Sequence, residues 1–212
     1  MDRDEAQARM EEIQRIMERA TLCTFLPGTA AVVGGGLVLV GCAVSYWMFR
    51  SLDFAAMLDM SFSGQVMFCV MWFAIGALGV VVEVVSTAQA AKRQGMSPTV
   101  RSARVAAFSM TPSVVVAMVL TVKFMIPAEP RPAEIQYIVP VWMMLYGTGV
   151  YTAGLFSIRP PRVLGLAFIG MGIVALLSFP DYGVVWAALS FGLLHIVFGL
   201  YILRRQRQDR SQ

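Results

Sequence analysis

The chain contains one histidine, His195, and three cysteines, Cys23, Cys42 and Cys69, in 212 residues. A lone histidine supplies neither a bis-histidine haem site nor an H-x-x-x-H zinc pair. An odd number of cysteines without C-x-x-C spacing supplies neither a disulfide framework nor a zinc site. No P-loop, paired-carboxylate site or Ser-His-Asp set is present, and the run Gly34-Gly35-Gly36 lies inside an apolar block, where it cannot form a phosphate loop. No metal or cofactor is implied. A membrane enzyme would need several polar groups converging from different helices. The sequence assembles no such set, so enzyme is the weakest class.

Charge is also scarce. Charged residues make up 14% of the chain and hydrophobic ones 58%, where a soluble domain carries about 25% charged residues. The charges collect between long apolar blocks, the signature of a polytopic membrane protein. The net charge of +4 does not indicate nucleic acid, because the basic residues follow block boundaries and form no stripe interleaved with aromatics.

Six apolar blocks are expected to span the bilayer: Leu26–Phe49, Val66–Val85, Val105–Met125, Tyr137–Ser157, Val163–Phe179 and Gly183–Leu203. Crossing the hydrocarbon core takes about 20 residues, and the fifth block is short. The sequence LVGC at residues 39–42 resembles a lipoprotein cleavage box. However, a charged, amphipathic segment of about 25 residues precedes it where a signal peptide has a short basic region, so an uncleaved first helix is expected. Between blocks five and six, FPDYG carries tight-turn residues, which predicts a hairpin of the last two helices. Proline in PAEPRPAE predicts a stiff extended stretch before block four.

Fourteen of the 17 Lys and Arg residues fall on one side of this arrangement, in the N-terminal segment, the second and fourth loops and the tail. Only Arg50, Lys123 and Arg131 fall on the other. By the positive-inside rule both termini are cytoplasmic. Tyr46, Trp47, Tyr137, Trp142, Tyr182 and Trp186 fall near the opposite ends, where amphipathic rings prefer to sit.

Residues 1–25 read as a cytoplasmic amphipathic helix, 26–203 as the transmembrane domain and 204–212 as a basic tail. In the first segment Ala6, Met10, Ile13, Met17 and Ala20 alternate steps of four and three, drawing one apolar stripe. Glu5 precedes Arg9 by four and Glu11 precedes Arg15 by four, the favourable order on a solvated helix face. Met10, Ile13 and Met17 are the candidate contact stripe, facing the bilayer surface, a second copy or another protein. The face has nearly as many acids as bases, which weakens a purely lipid-binding role.

Ala188, Gly192, His195 and Gly199 are spaced four, three and four, which predicts one face of the last helix. Small residues there let another backbone approach, as Gly34, Gly35 and Gly36 do in the first span, so His195 should point into the bundle. A buried imidazole needs a hydrogen-bond partner. Thr148, Tyr151 and Thr152 in block four, Thr111 in block three, or a backbone carbonyl are the candidates. The plain reading of His195 is interhelical glue; the functional one is a proton or ligand site. Glu83, late in block two, reads as an interfacial carboxylate paired with Arg101 or Arg104, or, if deeper, as a second proton or cation site. Thr111-Pro112 should kink block three.

Three stretches, EEIQRIMERATLCTFLPGTAAVVGG, AAKRQG and VVWAALSFGLLHIVFGLYI, resemble an uncharacterised family of small bacterial six-helix inner-membrane proteins. Its members open with an EIRxMMERS-like helix and close on a WALGFGxLHIxYG-like span. His195 and Trp186 match its His and Trp. TLCTFLPG departs from the family's Ser-rich SLSG segment, and PAEPRPAE is a local addition. The resemblance implies an all-α six-helix fold in the bacterial inner membrane, with no reaction attached. A frequent neighbouring winged-helix regulator hints at signalling. The leading expectation is therefore a non-enzymatic scaffold, sensor or accessory subunit. The alternative is a small transporter or channel using His195 and Glu83 for protonation.

Overall fold

The structure, a computed structural model, describes residues 7, 9, 10, 28–93, 101–125, 132–155 and 159–210. Regular structure among them is helical throughout. Helix α1 spans Gly28–Phe49 and leads through a 3-10 helix, Phe54–Asp59, to α2, Phe62–Arg93. Then come α3 (Arg101–Met125), the single turn α4 (Pro132–Ile135), α5 (Ile138–Gly154) and α6 (Arg159–Ser178). The last helix has three parts: α7 (Gly183–Ala187), a π-helical segment (Ala188–Leu194) and α8 (His195–Arg210). Five helices among the described residues are long and apolar enough to cross a membrane, the architecture of a multi-pass membrane protein. Helix α5 has 17 residues. The expected N-terminal amphipathic helix, with Ile13 and Met17, lies outside the described residues apart from Gln7, Arg9 and Met10.

The boundaries differ most from expectation in α2 and α8. Helix α2 runs for 32 residues, roughly 48 Å at 1.5 Å per residue, beyond the expected end at Val85. Helix α8 continues to Arg210, so the described part of the basic tail is helical. Hydropathy marks where lipid would end; backbone hydrogen bonding has no reason to stop there. Part of the expected extended stretch is also corrected. Pro132 opens the one-turn α4, because proline suits the first helical position, where no N–H partner is needed.

Backbone proximity organises the bundle. The most extensive contacts are α5 with α6, α3 with α5, and α1 with the last helix. A Cβ on Gly35 would sit 2.5 Å from the Gly192 carbonyl oxygen, and one on Gly28 would sit 2.5 Å from that of Gly199. Gly147 of α5 and Gly165 of α6 meet the same way, at 2.7 Å. Such approaches gain dispersion and Cα–H···O contacts where apolar lipid offers no hydrophobic drive. Of the Gly34-Gly35-Gly36 run, only Gly35 packs. A Cβ on Gly34 or Gly36 would meet nothing within 4 Å, since adjacent helical positions point about 100° apart.

The FPDYG turn is closed by the Tyr182 N–H donating to the Phe179 carbonyl and by Trp186 Nε1 donating to the same oxygen at 2.9 Å. The hairpin expectation needs correction all the same. Beyond the turn, α6 packs chiefly on α5 and the last helix chiefly on α1, because their glycines face those helices.

The 3-10 helix forms a plug across one end of the bundle. Asp53 caps it by accepting from the Ala55 N–H at 2.8 Å. Phe54, Ala55 and Met57 are buried, and Phe54 joins Phe49, Phe68 and Trp72 in an aromatic cluster, meeting Phe49 and Trp72 edge to face. The Val184 N–H donates to the Leu52 carbonyl at 2.9 Å, tying the plug to the start of the last helix.

Candidate functional site

Two tryptophans tie outlying helices to the bundle through hydroxyls. Ser45 donates to the Gly41 carbonyl in its own helix and accepts from Trp72 Nε1 at 3.1 Å. Thr121 donates to the Ala117 carbonyl and accepts from Trp142 Nε1 at 2.8 Å. Each hydroxyl donates one hydrogen bond and accepts one. These residues hold α2 on α1 and α3 on α5, and leave the His195 region as the polar centre.

His195 follows the π-helical segment directly. The i→i+5 bonding of that segment breaks the α-helical phase, so equal spacing no longer means one face. Gly192 and Gly199 face α1, against Leu39 and Val32, while His195 faces α5 and α6. The expected four-residue face is thus divided. Ala188, its first member, is partly buried against the core.

His195 is 9% exposed. Its Nε2 lies 2.8 Å from the Tyr146 hydroxyl. Tyr146, Phe168, Phe191 and His195 form a four-ring cluster, in which every pair has ring centroids between 4.9 and 6.3 Å apart. Phe168 is fully buried. The carbonyls of Ser190 and Phe191 approach the imidazole, yet Nδ1 meets no partner at hydrogen-bonding geometry. If Tyr146 donates to Nε2, Nδ1 carries an unaccepted proton. If Nε2 donates, Nδ1 keeps an unused lone pair.

The partner of His195 was missed by sequence reasoning. Thr148 and Thr152 donate to carbonyls of their own helix, those of Met144, Thr148 and Gly149, as helical threonines in apolar surroundings readily do. Tyr146 lies inside the apolar block four. The available signal was that a buried tyrosine hydroxyl seeks a partner.

Glu83 is half-buried. Its Oε1 accepts from the Thr87 hydroxyl at 3.3 Å, and it interacts electrostatically with Tyr146. Of the two residues singled out by sequence, His195 is hydrogen-bonded to Tyr146 and Glu83 to Thr87. The side chains of Arg101 and Arg104, the expected partners of Glu83, lie outside the described residues. No group of three or more His, Cys, Asp or Glu side chains able to hold a metal ion converges among the described residues.

Comparison with family models, curated proteins and solved structures finds no match to this chain.

Proposed function

We propose that this chain is a non-enzymatic component of the bacterial inner membrane, a scaffold, sensor or accessory subunit that works through helix contacts. In this reading it has six spans, α5 supplying the one beyond the five long helices, and both termini are cytoplasmic. The observation that carries it is the closed interior. Glycine–carbonyl contacts seal α1 against the last helix and α5 against α6, and three aromatic rings enclose His195. An interior built this way suits a rigid platform. Met10, from the proposed contact stripe, is 64% exposed, as a residue awaiting a partner would be.

The test is site-specific photocrosslinking from Met10, Ile13 and Met17 in native membranes. The reading expects a discrete adduct, with a second copy or another protein, and expects the same association, read by co-purification, to be lost when residues 1–20 are deleted. If that deletion changes neither association nor phenotype, the reading falls.

One observation favours the second reading, a small transporter or channel with protonatable His195 and Glu83. The Tyr146 hydroxyl lies 2.8 Å from His195 Nε2, a bond along which a proton could pass to or from the imidazole. Proton flux into liposomes that is lost in both Tyr146→Phe and His195→Gln would support it.

A further inference from the structure

Gly28 opens α1 against the far end of α8. A Cβ there would lie 2.5 Å from the Gly199 carbonyl oxygen and 2.7 Å from Leu203 Cγ. Residues 1–27 therefore join the bundle beside the point where α8 leaves it. Helix α8 does not stop with the seam. It continues over residues 204–210, about 10 Å at 1.5 Å per residue. Leu203 is its last apolar residue. Gln206 and Arg207 follow three and four positions later, so they carry the α1-facing side of the helix onward. Arg204, Arg205 and Arg207 are exposed. A helix face that outruns its apolar partner and turns basic suits an acidic occupant.

Residues 1–27 have that chemistry. They hold six acidic residues, Asp2, Asp4, Glu5, Glu11, Glu12 and Glu18, against four arginines. Asp4, Glu11 and Glu18 recur at intervals of seven, which aligns them in one row along the helix that the sequence predicts for residues 1–25. The two basic loops on the same side of the sequence arrangement, 92–104 and 159–162, hold six bases and no acid, so residues 1–27 are the acidic piece of that side. Reach is ample. Glu18 stands ten residues before Gly28, up to about 33 Å of extended chain.

We propose that residues 1–27 dock on the basic end of α8, with the row of Glu11 and Glu18 set against Arg204 and Arg207, and so clasp the α1–α8 seam from beyond the apolar span. One exposed ion pair contributes little. Several pairs on a segment tethered beside its target act together, because the tether raises the effective concentration of each. Anionic headgroups would meet the same arginines, but they would not account for the acids gathered in the segment that enters beside them. The clasp stands independently of the scaffold reading. That reading uses the apolar stripe of Met10, Ile13 and Met17, which a docked acidic row leaves free.

The test is amide hydrogen exchange of the full chain in nanodiscs of phosphatidylcholine, which has no net charge. Reversing Arg204→Glu and Arg207→Glu together should speed exchange in residues 1–20 and 204–210 by about three- to tenfold, the yield of two or three exposed ion pairs. Adding Glu11→Lys and Glu18→Lys to that variant should restore the native rates. A second measurement needs no variant. Salt that shortens the Debye length to about 3 Å should speed exchange in both segments of the native chain and leave α5 and α6 unchanged. The salt result decides the matter should the reversed chain fail to fold. The proposal is overturned if residues 1–20 respond neither to arginine reversal nor to salt, or if the reciprocal reversal does not restore protection. It is also overturned if protection appears only when phosphatidylglycerol is added, which makes lipid headgroups the occupant. Protection that is lost in nanodiscs holding one copy overturns it as well, and makes a second copy the occupant. Met10→Ser with Met17→Ser separates this clasp from the scaffold reading: the variant should lose the crosslinked adduct of that reading and keep native exchange in residues 204–210.

Discussion

Gly35 and Gly192 meet backbone to backbone: a Cβ on Gly35 would stand 2.5 Å from the Gly192 carbonyl oxygen and 2.8 Å from Ile196 Cγ1. Seven residues away along each helix, Gly28 and Gly199 repeat the relationship. Two turns of an α-helix take about seven residues, so the pairs form one antiparallel seam. A carbonyl cannot step aside as a side-chain terminus can. Gly35→Leu should force α1 off the last helix and cost about 1–3 kcal/mol or more, the range for overpacking. Gly34→Leu and Gly36→Leu add the same volume where nothing lies within 4 Å and should be nearly neutral. Thermal unfolding of the three variants in detergent decides this. Equal loss in all three would show that the seam is not where the structure places it.

The Tyr146–His195 hydrogen bond makes a second prediction. Removing one partner strands a buried polar group at a cost of about 1–3 kcal/mol, whereas removing both leaves nothing unsatisfied. Tyr146→Phe and His195→Leu should each destabilise, and the double variant should lose clearly less than their sum. A coupling of about 1 kcal/mol is expected from a double-mutant cycle, close to values for interhelical hydrogen bonds in membranes. Strict additivity would mean that the two groups do not interact.

These two contacts differ in how far sequence exposes them. The apolar blocks are legible because lipid imposes a length on each, and five of the corresponding helices have the length and composition to span. Gly192 and Gly199 were legible because small residues at helical spacing signal close approach. The partner of His195 was not. Hydroxyl-bearing threonines look like donors in sequence, but Thr152 is spent on the carbonyls of its own helix, a local choice that sequence does not show. The π-helical segment was equally hidden. It depends on which carbonyl each N–H selects, and it turns His195 away from the glycine face. The buried 3-10 plug was missed because RSLDFAAMLDMSFSG has polar ends, and its burial depends on α1, α2 and α4 converging on it.

The two tryptophan bridges give a third prediction. Ser45 and Thr121 each receive an indole N–H from a neighbouring helix, at 3.1 and 2.8 Å. Ser45→Ala and Thr121→Val should each cost about 0.5–1.5 kcal/mol. Both should also alter the environment of the bonded indole, read as a changed fluorescence maximum. Trp72→Phe should remove the further effect of Ser45→Ala, and Trp142→Phe that of Thr121→Val. Thr121→Val exerting its full effect in the Trp142→Phe background would show that Thr121 contributes through its own helix alone.

The last prediction concerns pH and the plug. Burial pushes the Asp53 carboxyl above its ordinary value, the Ala55 N–H pulls part of that shift back, and the nearby Asp181 adds to it. A carboxyl whose folded pKa is raised binds its proton more tightly folded than unfolded. Its favourable contribution is therefore complete below the unfolded value of about 4, and it is lost as pH rises through the folded value. Thermal stability attributable to this group should increase as pH falls from neutrality toward 4. Asp181→Asn removes the repulsion, so it should raise stability at pH 7 and do little near pH 3.5. Asp53→Asn keeps an oxygen to accept from Ala55 while abolishing the charge, so it should flatten this part of the pH profile. Asp53→Ala loses the cap as well, at a cost of about 1 kcal/mol, and should be less stable than Asp53→Asn at every pH. Melting curves between pH 3.5 and 7.5 for the four proteins test the scheme. A native chain that loses stability steadily on acidification, with Asp53→Asn following it in parallel, would show that the plug carboxylate is not the group responsible.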